Sequence, residues 1–430
     1  MSKDLVEKLR MSSAEFSPPV RSLMDIDFYK LTMGQVIAKK YPGVQVTFKV
    51  IVRENAVPIG DVVPETELSK CLDYAIGLRF APTDLYYLRG IDLYDKYMFK
   101  EAYIDYLRTF KLPRYALRQR AGGLELTFSG SWAEVTMWET IALAIISELY
   151  YRAVMRNMPR HELQMIYDRA RVRIYGKLEK LLLHPDIRFA DFGQRRRHSF
   201  LWQEWVLGIC KETMGSQFTG TSNTWMAFHH NLAPVGTNAH EMPMVRVALA
   251  NSDEEKLEAQ YEILREWETM YGPGLRIMLP DTYTSEQFFR NAPEWVAKWR
   301  GFRQDSGDPI TRGELYIDWL KEHGVDPREK VIIFSDGLDV DKIIEIHDRF
   351  AGRINTAFGW GTLLTNDFRG CHPNPLLRPF SIVCKVVEAD GRPCVKLSDS
   401  INKATGPVDE IERYKTIFRA GARTSEAVLV

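Results

Sequence analysis

Residues 331–362 read VIIFSDGLDVDKIIEIHDRFAGRINTAFGWGT and predict a strand, a helix and a second strand. The apolar run Val331–Phe334 ends in Ser-Asp-Gly, and Val340–Phe350 carries apolar side chains at helical spacing. A further apolar run starts at Ile354 and ends in Phe-Gly-Trp-Gly-Thr. A buried strand, an amphipathic helix and another buried strand in succession indicate a parallel β/α unit.

Similar units lie upstream of this stretch. Ile187-Arg-Phe-Ala-Asp-Phe-Gly and Leu275-Arg-Ile-Met-Leu-Pro-Asp are short apolar strands that end in turn-forming or polar residues. This number of units favours an irregular β/α barrel over an open sheet, and we assign the barrel to residues 151–370. In such a barrel the loops at the carboxyl ends of the strands build the site.

The chain on either side of the barrel predicts a second, α+β domain. Strand-forming residues occupy three stretches of it, at residues 44–52, 123–132 and 382–388. An Asp-Gly turn joins the last stretch to residues 394–397. We therefore predict an α/β protein whose N-terminal domain, residues 1–150, is completed by the tail, residues 371–430.

Composition limits the classes of partner. The 430 residues are 45% hydrophobic, which is enough for two associated domains, and the 57 basic and 57 acidic residues leave no net charge to attract nucleic acid or an anionic membrane. The apolar stretch 137–151 contains Glu139 and Glu148, so no membrane span is expected. Five scattered cysteines without a Cys-x-x-Cys motif predict neither a zinc site nor disulfides, and indicate a reducing cytoplasm.

Two strand-ending loops have the composition of phosphate sites. Ser-Asp-Gly337-Leu-Asp precedes a helix, and Phe-Gly359-Trp-Gly361-Thr362 follows the next strand. Glycines let the backbone approach an anion, and amides at a helix start donate to it. An ordinary turn is the alternative interpretation of each loop taken alone.

Three other loops carry side chains that are candidates for ligand binding or catalysis. Arg303-Gln-Asp305 can grip pyrophosphate, ribose hydroxyls or Mg²⁺, although a solvated turn would contain similar residues. The loop Asp-Phe192-Gly-Gln-Arg-Arg-Arg offers a ring face and cations to a flat aromatic acid, with a surface basic cluster as the alternative. His240 stands beside Glu241 and can act as acid, base, metal ligand or nucleophile, or have a purely structural role.

Together and in this order, these motifs resemble the nicotinate phosphoribosyltransferase family from about residue 22 to about residue 405. The matching motifs are Asp27-x-Tyr29-Lys30, Asp191-Phe-Gly-x-Arg-Arg-Arg197, Gly220-Thr-Ser-Asn223, Gly236-Thr-x-Ala-His-Glu241, Asp305-Ser-Gly-Asp-Pro309, Ser335-Asp-x-Leu-Asp339, Phe358-Gly-x-Gly-Thr362 and Lys396-Leu-Ser-Asp-Ser400. The resemblance implies a type II phosphoribosyltransferase barrel. It also implies that nicotinate displaces pyrophosphate from 5-phosphoribosyl-1-pyrophosphate in the salvage route to NAD.

The resemblance further implies residue roles. Tyr29 and Phe192 would sandwich the pyridine ring, with Tyr29 reaching across to the partner's site in a homodimer. Arg195 would contact pyrophosphate or nicotinate, and Thr237 would lie near nicotinate. The residues implied to hold phosphoribosyl pyrophosphate are Arg303, Asp305, Gly337, Gly359, Gly361 and Thr362.

His240 matches the family's phosphorylated histidine, which implies ATP and Mg²⁺ as cofactors and a catalytic role for Glu241 or another carboxylate and for Asp305. The related nicotinamide enzymes carry an aspartate where this chain has Ser222, and a carboxylate there would repel nicotinate. Serine therefore favours the acid over nicotinamide. A metal-dependent β/α-barrel hydrolase and a non-enzymatic phosphosugar sensor are the alternatives from other classes.

Overall fold

The computed structural model describes Glu7 and residues 16–53, 57–93, 97–120, 123–400 and 403–420. Its α-helices, in chain order, are α1 (Phe28–Lys40), α2 (Ile59–Val62), α3 (Glu65–Gly77), α4 (Pro82–Gly90), α5 (Glu101–Thr109), α6 (Trp132–Val135), α7 (Trp138–Met155), α8 (Arg160–Leu182), α9 (Phe200–Met214), α10 (Thr224–His229), α11 (Glu241–Ala248), α12 (Asp253–Tyr271), α13 (Ser285–Asn291), α14 (Pro309–Glu322), α15 (Val340–Phe350), α16 (Thr362–Thr365) and α17 (Val408–Ile417). Its strands are β1 (Gln45–Val52), β2 (Tyr115–Arg120), β3 (Gly123–Ser131), β4 (Phe189–Asp191), β5 (Phe218–Thr221), β6 (Ile277–Met278), β7 (Gly301–Gln304), β8 (Val331–Phe334), β9 (Asn355–Trp360), β10 (Ile382–Ala389) and β11 (Arg392–Pro393).

An antiparallel sheet joins the two ends of the chain. Its order is β11-β10-β1-β3-β2, so the N-terminal strand β1 pairs with the C-terminal strand β10, with Lys49 opposite Lys385. This arrangement confirms the predicted α+β layer completed by the tail. The domain boundaries near residues 150 and 370 stay a prediction.

The turn of the C-terminal hairpin also forms as predicted, because Asp390 and Gly391 both take positive φ angles of 45° and 75°. The strand after the turn is Arg392–Pro393, and the predicted strand at residues 394–397 does not form. β11 ends at Pro393, which has no N–H to donate to the ladder, and Lys396 forms a bridge with Thr405 instead. The chain thereby leaves the sheet and turns toward the barrel.

The second sheet is parallel, in the order β5-β4-β9-β8-β7-β6. Its strands are short and largely buried, and α15 shows why the intervening helices pack on them. Asp339 caps this helix by accepting from the N–H of Lys342, while Ile343, Ile346 and Phe350 are buried along one face. The predicted alternation of strand and helix is confirmed.

The gap between β5 and β6 makes the barrel irregular. Pro234 forms a parallel bridge with Thr221 at the end of β5, and His240 hydrogen-bonds to Thr282 just beyond β6. The segment 234–240 therefore takes the place of a regular strand and closes the barrel on the side where the site lies.

Among the described residues, no helix has both the length and the apolar composition needed to cross a membrane.

Candidate functional site

Two connected cavities open at the carboxyl ends of the parallel strands. We call the smaller one, of about 60 Å³, the narrow pocket; it is lined by Asp27, Tyr29, Phe192, Arg195, Ser222, Val235, Gly236, Thr237, Asn238, Ala239, His240, Arg303, Asp305, Ile333 and Lys385. We call the larger one, of about 260 Å³, the cationic cleft; it is lined by Arg53, Phe192, Arg195, Arg196, Arg303, Asp305, Ser335, Asp336, Gly337, Leu338, Gly361, Thr362, Leu363, Ser381, Val383, Lys385, Lys396 and Lys403. Five side chains line both cavities and form the passage between them: Phe192, Arg195, Arg303, Asp305 and Lys385.

Two aromatic rings line the narrow pocket. The Tyr29 hydroxyl donates to Glu139 Oε2 at 3.2 Å, and the backbone N–H of Phe192 donates to the Trp360 carbonyl at 2.9 Å. Both rings belong to the same chain, because the start of α1 packs on its own barrel, where Phe28 N–H donates to the Ser222 carbonyl at 2.6 Å. That Tyr29 also reaches into a partner's site stays a prediction.

Gly359 lies directly beneath the Phe192 ring. A Cβ at this position would stand 2.3 Å from both Cδ2 and Cε2 of that ring, so only glycine leaves the aromatic side chain its place. Gly359 lines neither cavity as described above. Its expected place in a phosphate cradle is thus corrected: it shapes the narrow pocket by making room for Phe192.

The hydroxyl of Ser222 is hydrogen-bonded to a carboxylate. Its hydroxyl donates to Asp27 Oδ1 at 2.5 Å, and Asp27 Oδ2 lies 3.4 Å from Arg195 Nε. Burial raises the pKa of Asp27 to about 6, against the opposing effects of Arg195 and Ser222. The absence of an aspartate at position 222 therefore does not leave the narrow pocket free of carboxylates, and the predicted basis for selecting an acid is incomplete.

The three consecutive arginines divide their roles. Arg195 lines both cavities and pairs with Glu139 Oε1 at 3.4 Å as well as with Asp27. Arg196 lines the cleft, and burial together with its neighbours Arg195 and Arg53 lowers its pKa to about 10. Arg197 is fully buried and donates to Asp25 Oδ1 and Oδ2 at 2.7 and 2.8 Å, so its role is structural.

His240 lies between two aspartates. Its Nδ1 hydrogen-bonds to Thr282 Oγ1 at 2.9 Å, its Nε2 to Asp305 Oδ2 at 3.1 Å, and Asp281 Oδ1 is 3.6 Å from Nε2. Since a carboxylate only accepts, Nε2 carries the proton and Nδ1 accepts from the Thr282 hydroxyl. Burial and the nearby Lys396 lower the pKa of His240 to about 4, so the imidazole is neutral at pH 7.

Glu241 does not contact the imidazole. Its Oε1 accepts from Trp132 Nε1 at 2.6 Å, and its Oε2 accepts from Lys30 Nζ at 2.5 Å. Lys30 also pairs with Glu139 Oε2 at 2.6 Å. The predicted catalytic role of Glu241 is therefore corrected to a structural one at the start of α11, and the carboxylates that orient His240 are Asp305 and Asp281.

Arg303 and Asp305 form an ion pair at the passage between the cavities. Arg303 Nη1 donates to Asp305 Oδ1 at 2.8 Å, and Nη2 donates to the Asn238 carbonyl at 3.2 Å. Arg303 and the hydrogen bond from His240 keep the pKa of Asp305 well below its usual range, although burial opposes this. Thr237 lies nearby in the narrow pocket, where its carbonyl accepts from Thr32 Oγ1 at 2.9 Å.

The cationic cleft contains the predicted glycine loops. Gly337, with a positive φ of 58°, lines it together with Gly361 and Thr362. Several further groups were not assigned from the sequence; they are Arg53, Arg196, Asp336, Lys385, Lys396 and Lys403. Lys385 could have been noticed as a lone lysine within the apolar strand Ile-Val-Cys-Lys-Val-Val, and Asp281 as the aspartate that ends Leu-Pro-Asp.

His240, Asp281 and Asp305 also form a candidate cation site, since one ligand atom from each lies within 4.8 Å of the others. Asp281 Oδ1 is buried and has no hydrogen-bond partner among the described residues. The two carboxylates fit a hard divalent cation such as Mg²⁺, which prefers oxygen ligands.

Two family models match the chain. Residues 187–422 match the nicotinate phosphoribosyltransferase (NAPRTase) family, and residues 24–147 match the NAPRTase N-terminal domain. The two matches together cover most of the chain.

Solved structures give the same result. A nicotinate phosphoribosyltransferase from Vibrio cholerae is 31% identical with a TM-score of 0.83, covering 96% of each chain. One from Porphyromonas gingivalis is 31% identical with a TM-score of 0.82, covering 93% of this chain and 100% of its own. A putative nicotinate phosphoribosyltransferase from Saccharomyces cerevisiae is 27% identical with a TM-score of 0.80, covering 94% of this chain and 99% of its own.

Proposed function

Because this chain belongs to the nicotinate phosphoribosyltransferase family, we propose how its two cavities carry out the family's reaction in NAD salvage. The observation that supports the proposal most is that a narrow pocket lined by two aromatic rings opens directly into a cleft lined by cations. Nicotinate occupies the narrow pocket, and 5-phosphoribosyl-1-pyrophosphate occupies the cleft. Family membership removes the metal-dependent hydrolase and sensor hypotheses.

In the transfer step, the lone pair of the pyridine nitrogen forms a bond to C1 of the ribose, and the bond from C1 to the pyrophosphate oxygen breaks. Pyrophosphate leaves with that electron pair. Tyr29 and Phe192 orient the ring, while Arg195 and Arg303 at the passage stabilise the negative charge that grows on the leaving group. The amides of the Gly337 and Gly361 loops, with Thr362, hold the 5-phosphate.

ATP coupling acts through His240. Nδ1, the nitrogen of the neutral imidazole that carries no proton, supplies its lone pair to the γ-phosphorus, the bond to the bridging oxygen breaks, and ADP leaves with its electrons, while Asp305 accepts the Nε2 proton in its hydrogen bond. Asp305 and Thr282 fix the orientation of the ring for this step. The phosphorylated state then binds the sugar pyrophosphate more tightly, since a modification shifts a binding equilibrium only through a difference in affinity.

Mg²⁺ would be held by Asp281 and Asp305, whose oxygens include a buried one with no hydrogen-bond partner among the described residues. Bound there, the ion would neutralise charge on phosphate oxygens. Lys396 Nζ, 3.6 Å from Asp281 Oδ2, adds a fixed positive charge at the same place.

A cytoplasmic location is part of the proposal. All five cysteines are free and buried, which suits a reducing compartment.

The proposal is tested by following pyrophosphate release with nicotinate, nicotinamide and quinolinate in parallel, each with and without ATP and Mg²⁺. We expect turnover with nicotinate, accelerated when ATP and Mg²⁺ are both present. Preference for nicotinamide would support the alternative substrate, and an absence of turnover with all three pyridines would refute the proposal.

Assembly as a homodimer stays a prediction, and within one chain Tyr29 and Phe192 already line the same pocket. With Tyr29 and Phe192 in one pocket of one chain, mixing Tyr29→Ala and Phe192→Ala subunits restores no intact pocket. We therefore expect co-expressed, differently tagged variants to give no more turnover than the two parents. A recovery toward half of the wild-type activity in a purified mixed dimer would instead show that the ring clamp is shared between subunits.

A further inference from the structure

Selection of an acid over an amide needs a source of positive charge in the narrow pocket. Asp27 and Asp305 both line the pocket, and each would repel the carboxylate of nicotinate. Three cations line it as well, namely Arg195, Arg303 and Lys385. With two cations the charges of the two carboxylates are only balanced. The third cation therefore decides whether the net charge of the pocket is positive.

The other two cations are already engaged. Arg195 pairs with Asp27 and Glu139, each at 3.4 Å, and Arg303 donates to Asp305 at 2.8 Å. Lys385, by contrast, makes neither a hydrogen bond nor an ion pair with any residue that the structure describes. An ammonium in a pocket wall without an ion-pair partner is unfavourable unless a ligand supplies the opposite charge.

We propose that Lys385 is a specificity-determining residue whose ammonium group binds the carboxylate of the pyridine acid. This inference rests on the proposed function. β10 places Lys385 on the same face as Val383, which lines the cationic cleft, so the side chain stands at the passage where the ring enters the narrow pocket. The cleft has other cations for the phosphates, among them Arg196, Lys396 and Lys403, and so does not depend on Lys385.

The surroundings of Lys385 are predominantly positive. Burial, with Lys396 after β11, Arg195 after β4 and Arg53 after β1, lowers the pKa of Lys385 to about 7, and Glu139 of α7 opposes this effect. The ammonium form is present below this pKa and is lost as the pH rises through it. The KM for nicotinate should therefore rise with pH above about 7 in the wild-type enzyme, and a variant without the amine should lack this rise.

The decisive variant is Lys385→Met, which keeps the length of the side chain and removes its charge. We expect the KM for nicotinate to rise about 10- to 100-fold, as is typical for the loss of a charged hydrogen bond. The KM for phosphoribosyl pyrophosphate and the inhibition constant of nicotinamide, a neutral ring of the same shape, should stay within about threefold. Because an ammonium among other cations is lost, Tm should be unchanged or higher, whereas removal of a purely structural residue would lower it.

Lys49→Met is the matched control. Lys49 lies directly opposite Lys385 on β1, on the same face of the sheet, and lines neither cavity as described. The inference is overturned if Lys385→Met leaves the KM for nicotinate unchanged, raises that of phosphoribosyl pyrophosphate instead, or raises both equally. Failure of the wild-type enzyme to use nicotinate would refute the proposed function itself, before any variant is compared.

Discussion

Replacement of His240 by asparagine is expected to abolish transfer of the γ-phosphoryl group of ATP to the protein, while slow transfer of the phosphoribosyl group to nicotinate continues. Asparagine keeps one hydrogen bond to Thr282 or Asp305 but offers no nucleophilic nitrogen. The binding groups for both substrates lie mainly on other loops, so turnover should fall to the rate seen without ATP and become insensitive to ATP.

The measurement combines intact-protein mass after incubation with ATP and Mg²⁺ with initial rates at several ATP concentrations. His184→Asn serves as control, because His184 is half-buried and lies beside Asp348, away from both cavities. Persistent addition of a phosphoryl group to the His240→Asn protein would show that another residue is the acceptor.

The second large effect is expected for Arg303→Ala. Arg303 lines both cavities and is the cation bonded to Asp305, which in turn orients His240. Loss of a charge-assisted contact costs about 1.5 to 3 kcal/mol, which is roughly a 10- to 150-fold drop in kcat/KM for phosphoribosyl pyrophosphate. The KM for nicotinate should change far less.

The ion pair between Arg303 and Asp305 gives a second readout. Without Arg303 the pKa of Asp305 rises, since the largest influence lowering it is gone. The acidic limb of the pH–rate profile should therefore move to higher pH in the variant. Arg188→Ala is the control. It also removes an arginine side chain, but at the amino end of β4 and so at the opposite end of the barrel. Equal increases in KM for both substrates would argue against a specific role in binding the sugar pyrophosphate.

The sequence predicted those parts of the molecule that depend on local pattern. Apolar runs ending in polar residues located the strands β8 and β9 and their loops, and the carboxyl-end rule for parallel strands placed Gly337 and Gly361 at one site. Motifs that share a loop or follow a strand were therefore found without knowledge of the tertiary structure.

The sequence failed where a contact depends on how distant segments pack. Glu241 is adjacent to His240 in the chain, but the start of α11 directs it to Lys30 and Trp132. The placement of Tyr29 with Phe192, 163 positions later, was implied only by the family resemblance and by no local pattern; in the structure the start of α1 packs beside β5 and brings both rings into one pocket. Lys385 enters the site from the other sheet, which no periodicity within β10 reveals.

The pairing of β1 with strands from opposite ends of the chain has a consequence for biosynthesis. Phe48 meets Phe128 after 80 further residues, whereas Lys49 meets Lys385 only after 336. At ribosomal rates of about 5 to 20 residues per second, the second partner arrives roughly 20 to 70 s after β1 is made. During that interval one edge of β1 has its hydrogen-bonding groups unpaired, and such an edge is a template for pairing with another chain. When several ribosomes translate one messenger RNA, neighbouring nascent chains are close together, which favours incorrect pairing between the β1 edges of different chains. The pocket that contains Lys385 is completed only late in synthesis.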